Sequence, residues 1–462
     1  MNSFIKSAPI TKGILIFILI VFAFLFSSAV RLTWVYWADN MIDGNVFKWN
    51  NEFMVTTNDS YFWAEGARDL ILCDRDNASM GEYYQQNCHQ ENDLSPVNDP
   101  LPKITHFLYD ILPFSLETII FYLPVFAASL LVIPFILIGS RFNLLLSGFI
   151  ASLIAVVSTS YYSRTVVGYY DTDIFNLFFP MMIVWSLALA VETRAKPYVL
   201  LTALEMAVYR WCYPQSYAIE FAFCGLIVVY IIYVCIMELD VKFDNDKKTN
   251  VPSRVPSIVL CIVWYLKIIS FYLLAIISHL FWNVKNSKNV FNYQLLSIML
   301  ISMIEAPFVI KIAAIAVLYL IIFRIKVDKA ILFILACSAV AFLITGGFEP
   351  IINRLDSFIF QRDGTVDYSG LQFFSVAQTI VEAQNIVLKD IPLRLNGSIL
   401  LFIISIIGYG WLCIRRPVML LMLPLLGLGF LSIWGGLRFV MYAIPVIAIG
   451  MGFFIFRDRK SV

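Results

Sequence analysis

Charge is scarce in this chain, at 14% of 462 residues, and its formal sum is only +1. Nucleic-acid binding needs clustered lysine and arginine. No basic tract here exceeds a few residues, so that class of partner is excluded. Histidine is scarcer: His89, His106 and His279 stand far apart, and no zinc-type spacing of His and Cys occurs. Adjacent tryptophans are missing altogether, although the chain has ten tryptophans. Of eight cysteines, six lie in or beside apolar runs and read as small core residues. The other two, Cys73 and Cys88, fall in a long polar stretch. There they either close a loop of about 15 residues, worth ~3 kcal/mol in the chain-entropy picture, or remain free thiols.

Apolar sequence fills the space that charge leaves. Hydrophobic residues make up 60% of the chain, against roughly 45–50% in soluble domains, and the mean hydropathy is +0.80. The reading is an all-α polytopic membrane protein. Apolar runs cover 13–30, 115–139, 143–160, 174–191, 197–213, 217–237, 257–282, 292–305, 307–323, 330–346, 397–414, 417–434 and 438–456. A helix needs about 20 residues to cross the hydrocarbon. The first run, preceded by Lys6 and Lys12, reads as an uncleaved signal anchor with its N-terminus inside.

Lys/Arg bias orients the loops. Arg141, Arg194, Lys196, Lys242, Arg254, Arg324, Arg415, Arg416 and Arg457 mark inside loops. Two long hydrophilic stretches, 31–112 and 347–396, then lie outside. Nine apolar runs separate them, and an odd number would put them on opposite faces. The run at 257–282 carries Lys267 at its middle and basic residues at both flanks, so it is expected to be re-entrant or interfacial. About twelve spans remain, with both termini cytoplasmic.

Acids on the expected outer face carry the chemistry. Asp59 sits in TTNDSYFWAEGARD, in the first long loop. Arg164, Asp171 and Asp173 sit in SRTVVGYYDTD, between two apolar runs. Thr379 and Glu382 bound the tetrapeptide TIVE in the second long loop, and Arg438 follows the Gly435-Gly436 turn. Charge at a bilayer edge is costly unless it meets water, a partner or a ligand. Carboxylates offer hard oxygens to a divalent cation, and arginine offers a fork for phosphate. Taken singly, each acid reads equally well as a solvated loop residue.

Together with YRWCYPQSY and GLRFVMYAIPV, these motifs resemble the bacterial single-subunit oligosaccharyltransferases of the PglB type, over residues 10–456. The resemblance implies a GT-C-type glycosyltransferase bundle spanning residues 1–456. It implies metal-assisted, inverting transfer of an oligosaccharide from a polyprenyl-diphosphate donor to asparagine in Asn-x-Ser/Thr. Asp59, Asp171, Asp173 and Glu382 would hold Mn²⁺ or Mg²⁺. Asp59 and Glu382 would also contact the acceptor amide, with Thr379 nearby. Arg438 would bind the diphosphate, and Arg164 would organise the site. Tyr213 and Tyr217 are candidates for sugar or lipid contact, with interfacial anchoring as the plainer reading. The implied location is the bacterial inner membrane, with the site facing the periplasm.

Two departures bear on activity. The Trp-Trp-Asp signature of the family's soluble acceptor-reading domain is absent, and residues 240–290 form an inner insertion. Three expectations follow. The chain is a working transferase, completed by a separate soluble-domain chain. It is a truncated or split half with little activity alone. Or it is a lipid-linked-sugar binder or transporter, for which Glu205 and Glu220 are midplane candidates.

Overall fold

A computed structural model describes residues 9–41, 47–50, 52–74, 96–246, 289–325, 328–350, 352 and 386–456. Thr379, Glu382, Cys88 and the Lys267 run lie outside the described residues, as do the expectations attached to them.

The chain divides into two compact units. The first comprises residues 1–185, 208–216 and 354–462. It opens with α1, Pro9–Met41, whose apolar residues point to every side. Ile14, Phe17, Phe22 and Leu25 are exposed, as expected of a helix surrounded by lipid. A two-stranded ribbon follows, β1 (Lys48–Trp49) and β2 (Glu52–Phe53), paired Lys48 to Phe53 and Trp49 to Glu52. This small sheet departs from the all-helical expectation. Asn50, at φ 49°, turns the chain, and the rings of Trp49 and Phe53 favour a pleated surface.

Then come α2 (Asn58–Asp74), α3 (Pro100–Ile111), α4 (Leu116–Ser129), α5 (Val132–Arg141), α6 (Leu145–Val157) and α7 (Thr159–Tyr162). Ser115 caps α4, its hydroxyl accepting the Thr118 N–H at 3.2 Å. A short 3₁₀ turn, Thr172–Phe175, leads into α8 (Phe178–Thr193), which belongs to this unit up to residue 185. The first unit resumes at α14 (Asp390–Asn396) and α15 (Ile399–Arg415) and ends in the 3₁₀ turn Leu437–Ala443 and α18 (Ile444–Ile455). Where α15 meets α18, a Cβ at Gly450 would collide with the Ser405 carbonyl oxygen. Small residues thus let two backbones touch, the usual packing device inside lipid.

The second unit, residues 186–207 and 217–353, contains α9 (Lys196–Cys212) up to residue 207. It also holds α10 (Tyr217–Asp246), α11 (Val290–Ser302), α12 (Phe308–Ile322) and α13 (Asp328–Ile344). Amides pin its helices: Asn289 donates to the Ile231 carbonyl at 3.0 Å and Gln294 to the Ile322 carbonyl at 3.1 Å.

Among the described residues five helical stretches are long and apolar enough to cross a membrane: 12–39, 116–141, 172–193, 214–235 and 437–455. A sixth counts if α14 and α15, bent by 78°, form one span. Five further apolar helices are shorter. The run expected at 417–434 opens as a 3₁₀ turn (Pro417–Met422), continues as α16 (Leu423–Phe430) and ends in α17 (Ser432–Gly435). The protein is a mostly helical membrane protein.

Candidate functional site

The segment 163–177 joins α7 to α8 and carries Arg164, Asp171 and Asp173, three of the sequence-predicted charges. Arg164 forms an ion pair with Asp173, and the two side chains are only 11% and 9% exposed. The other Asp173 oxygen accepts the Asn176 amide at 2.6 Å. Asp173 is therefore neutralised and held within its own loop. Asp171 is treated differently. Its Oδ1 accepts three donors: Thr172 N–H at 2.6 Å, Thr172 Oγ1 at 3.1 Å and Trp63 Nε1 at 3.2 Å. The Trp63 bond reaches across 108 residues of sequence.

Trp63 and Asp59 share α2, four residues apart, hence on one face. Asp59 occupies the exposed first turn, where the helix N-terminus favours a carboxylate. Thr57 begins that helix, its hydroxyl accepting the Ser60 N–H at 3.2 Å. The α2 entrance is stitched to the aspartate loop at Gly168. The Gly168 carbonyl accepts Thr56 N–H at 3.0 Å and Ser60 Oγ at 3.4 Å, while its own N–H donates to the Phe121 carbonyl at 2.8 Å. Gly168 sits at φ +77°, and a Cβ there would lie 3.0 Å from the Phe121 ring. Both the backbone conformation and the space call for glycine.

A buried cluster underlies this junction: Ala67, Ile71, Leu101, Leu116, Ile120, Tyr170 and Ile174, drawn from α2, α3, α4 and the loop. The Tyr170 hydroxyl meets Thr105 Oγ1 at 2.5 Å, fixing the residue just before Asp171. From the other side α1 contributes Arg31, which is fully buried. Its Nε and Nη2 reach Thr165 Oγ1 at 3.1 and 2.9 Å, and Nη1 reaches Ser27 Oγ at 2.7 Å. Its guanidinium lies 5.2 Å from the Tyr161 ring centre.

Tyr213 and Arg438 complete the surroundings. Tyr213 hydrogen-bonds to Tyr442 and Asn176, and the charges of Asp173 and Arg438 both act on it. Its ring stacks on Tyr209 at 6.1 Å. Arg438 stands in the 3₁₀ turn after Gly436, its guanidinium 5.7 Å from the Phe439 ring.

Burial pushes the Asp171 carboxyl up to about 7; the Asp173 charge adds to this, and the Asp59 charge acts in the same direction. Asp171 thus faces two further carboxylates, Asp173 and Asp59, and among the described residues the Arg164 guanidinium pairs with Asp173. Among the described residues no three His, Cys, Asp or Glu side chains converge as a ready-made cage. The donors that do gather are all carboxylate oxygens, and Asp171 Oδ2 accepts none of the bonds that occupy Oδ1. That chemistry fits Mg²⁺ or Mn²⁺.

Six predicted residues thus fall in the first unit: Asp59, Arg164, Asp171, Asp173, Tyr213 and Arg438. Contacts or mutual charge link them into one neighbourhood. Tyr217 opens α10 in the second unit. Thr379 and Glu382 lie outside the described residues. Sequence reasoning did not single out Arg31, Trp63, Asn176 or Tyr442. Trp63 was findable from its four-residue spacing to Asp59. Arg31 was missed because it falls one residue past the first apolar run, and α1 in fact continues to Met41.

A family profile described as "Oligosaccharyl transferase STT3, N-terminal" matches residues 14–461. The chain is 33% identical over 447 residues to the undecaprenyl-diphosphooligosaccharide–protein glycotransferase of Campylobacter jejuni subsp. jejuni serotype O:2, covering 96% of this chain and 53% of that protein. It is 32% identical over 447 residues to the protein of the same description from Campylobacter jejuni strain RM1221. The chain spans about half the length of the curated relatives it matches. In fold it resembles the apo oligosaccharyltransferase of Archaeoglobus fulgidus, with TM-score 0.53 and 12% identity over 96% of this chain and 51% of that one. A second structure of the archaeal enzyme, with an inhibitory peptide and a dolichol-phosphate, gives TM-score 0.52 and 11% identity over 97% of this chain and 51% of that one. The chain belongs to the STT3 oligosaccharyltransferase family.

Proposed function

We propose that this chain carries the donor-binding and catalytic core of an asparagine-linked oligosaccharyltransferase, working on the periplasmic face of a bacterial inner membrane. The proposed topology has about twelve spans and both termini in the cytoplasm. The substrates are a polyprenyl-diphosphate-linked oligosaccharide and a polypeptide bearing Asn-x-Ser/Thr. The observation that carries this reading is the aspartate element: Asp173 buried with Arg164, and Asp171 half-buried and bonded by Trp63, in the same unit as Arg438.

Asp171 and Asp59 would hold the cation, with Glu382 completing the set and Asp173 supporting it through the shared loop. Bound Mg²⁺ or Mn²⁺ supplies Lewis-acid neutralisation of the leaving diphosphate. Arg438 adds charge-assisted hydrogen bonds to the same diphosphate oxygens. Asp59 and Glu382 accept the two N–H bonds of the acceptor amide, which weakens delocalisation of the nitrogen lone pair. Nitrogen then forms the bond to the sugar carbon as the carbon–oxygen bond to diphosphate breaks, and one amide proton passes to a carboxylate. Attack from the face opposite the leaving group inverts the anomeric centre. Thr379 lies beside the acceptor, while Tyr213 borders the sugar or lipid.

The test is transfer by the purified chain in lipid vesicles, with lipid-linked oligosaccharide, Mn²⁺ and an acceptor peptide. It is run with and without an added soluble acceptor-reading domain. Glycopeptide formation in either arm supports the reading. No glycopeptide in both arms, with donor and cation present, rejects it.

A further inference from the structure

Asp171 Oδ1 receives three hydrogen bonds, from Thr172 N, Thr172 Oγ1 and Trp63 Nε1, at 2.6, 3.1 and 3.2 Å. A carboxylate oxygen has about two lone-pair directions to offer. Oδ1 is thus fully engaged, and Oδ2 is the oxygen left to meet a cation. Two of the three donors belong to the neighbouring residue and move with the loop. Only Trp63 comes from another element, and that element is the helix bearing Asp59.

The Trp63 ring is half-buried against the cluster formed by Ala67, Leu101 and Tyr170, which fixes the direction of its N–H.

We propose that Trp63 is a positioning residue of the cation site. Its indole N–H locks Asp171 so that Oδ2 faces the cation, and it sets the spacing between Asp59 and Asp171. This inference rests on the cation-binding reading above. Groups that orient ligating side chains typically change metal affinity by about 10–100-fold when removed.

The experiment is Mn²⁺ titration of the full chain in detergent, read by loss of the free-Mn²⁺ electron paramagnetic resonance signal, without donor or acceptor. Wild type, Asp171→Asn, Trp63→Phe and Trp63→Gln are compared. Phenylalanine keeps the ring packing and removes the N–H; glutamine keeps an N–H donor and removes the ring. The expected result is Mn²⁺ affinity about tenfold or more weaker in Trp63→Phe, with recovery toward wild type in Trp63→Gln. Wild-type affinity in Trp63→Phe, while Asp171→Asn abolishes binding, overturns the role of Trp63 and leaves the cation site standing. Equal loss in Trp63→Phe and Trp63→Gln also overturns it, because ring shape rather than the N–H would then matter. Absence of Mn²⁺ binding in wild type, or binding indifferent to Asp171→Asn, overturns the cation reading and this inference with it.

Discussion

Two places in the molecule put a carboxylic acid into apolar surroundings, and they do so differently. In the first unit, the loop of Asp171 and Asp173 is tied to groups far away in the chain. Trp63 binds Asp171 across 108 residues, and Arg31 binds the neighbouring Thr165 across 134. In the second unit, Glu205 is buried beside Ser186 at 2.5 Å, and Ser186 meets Thr202 at 2.9 Å. Those partners lie within 19 residues, on the two helices around one short turn. Glu205 Oε1 is buried without a hydrogen bond among the described residues. One acid group is a junction of several elements. The other is a local hydroxyl–carboxyl contact between neighbouring helices. On the proposed function, the difference separates an acid with chemistry to perform from an acid that the helix pair accommodates.

The comparison can be broken at several points. The largest effect is expected at Asp171. Asparagine there keeps the shape but removes the charge, and should lower oligosaccharide transfer by on the order of 100-fold or more. The glycopeptide assay with wild type alongside would measure it. If transfer is retained, the contrast with Glu205 loses its meaning.

Next is the buried ion pair. Arg164→Ala strands Asp173 and should cost ~3–5 kcal/mol of stability, read as a fall in thermal midpoint in detergent. The double variant Arg164→Ala with Asp173→Ala removes both charges. It should regain much of that midpoint but not the transfer activity, because the loop loses its brace. Equal destabilisation in the single and double variants would mean that the pair is not the brace.

Gly168→Ala tests the stitch between α2 and the loop. A Cβ at φ +77°, against the Phe121 ring, should cost ~1–3 kcal/mol. Transfer should fall further than the thermal shift alone explains, since Thr56 and Ser60 bond to this residue. An unchanged thermal midpoint would show that the loop accommodates the methyl group.

The smallest effect is expected in the second unit. Glu205→Gln keeps a hydrogen-bonding group beside Ser186 and should change stability by less than ~1 kcal/mol, with transfer at the wild-type level. A large loss of transfer in this variant would make Glu205 functional and collapse the comparison.

Much of this contrast was legible in the sequence, but unevenly. Apolar runs located the long helices at 116–141, 172–193, 214–235 and 437–455 closely, because lipid demands continuous hydrophobic length. The small ribbon at 48–53 was missed, since two-residue strands leave no periodic pattern. Within the site, charge pointed to Asp59, Asp171, Asp173, Arg164 and Arg438. It could not divide the labour between Asp171 and Asp173, which look alike in sequence. Their different surroundings come from Arg164, Asn176 and Trp63, whose contacts are made only after folding.

The central claim is that the aspartate element and Arg438 form the donor-diphosphate half-site. Its most direct measurement is binding of a lipid-diphosphate-linked sugar to the purified chain, titrated with and without Mn²⁺, for wild type, Asp171→Asn and Arg438→Ala. The account predicts that Mn²⁺ tightens donor binding in wild type, that Asp171→Asn abolishes this gain, and that Arg438→Ala weakens binding with or without Mn²⁺. Donor binding indifferent to Mn²⁺ and to both substitutions would contradict it.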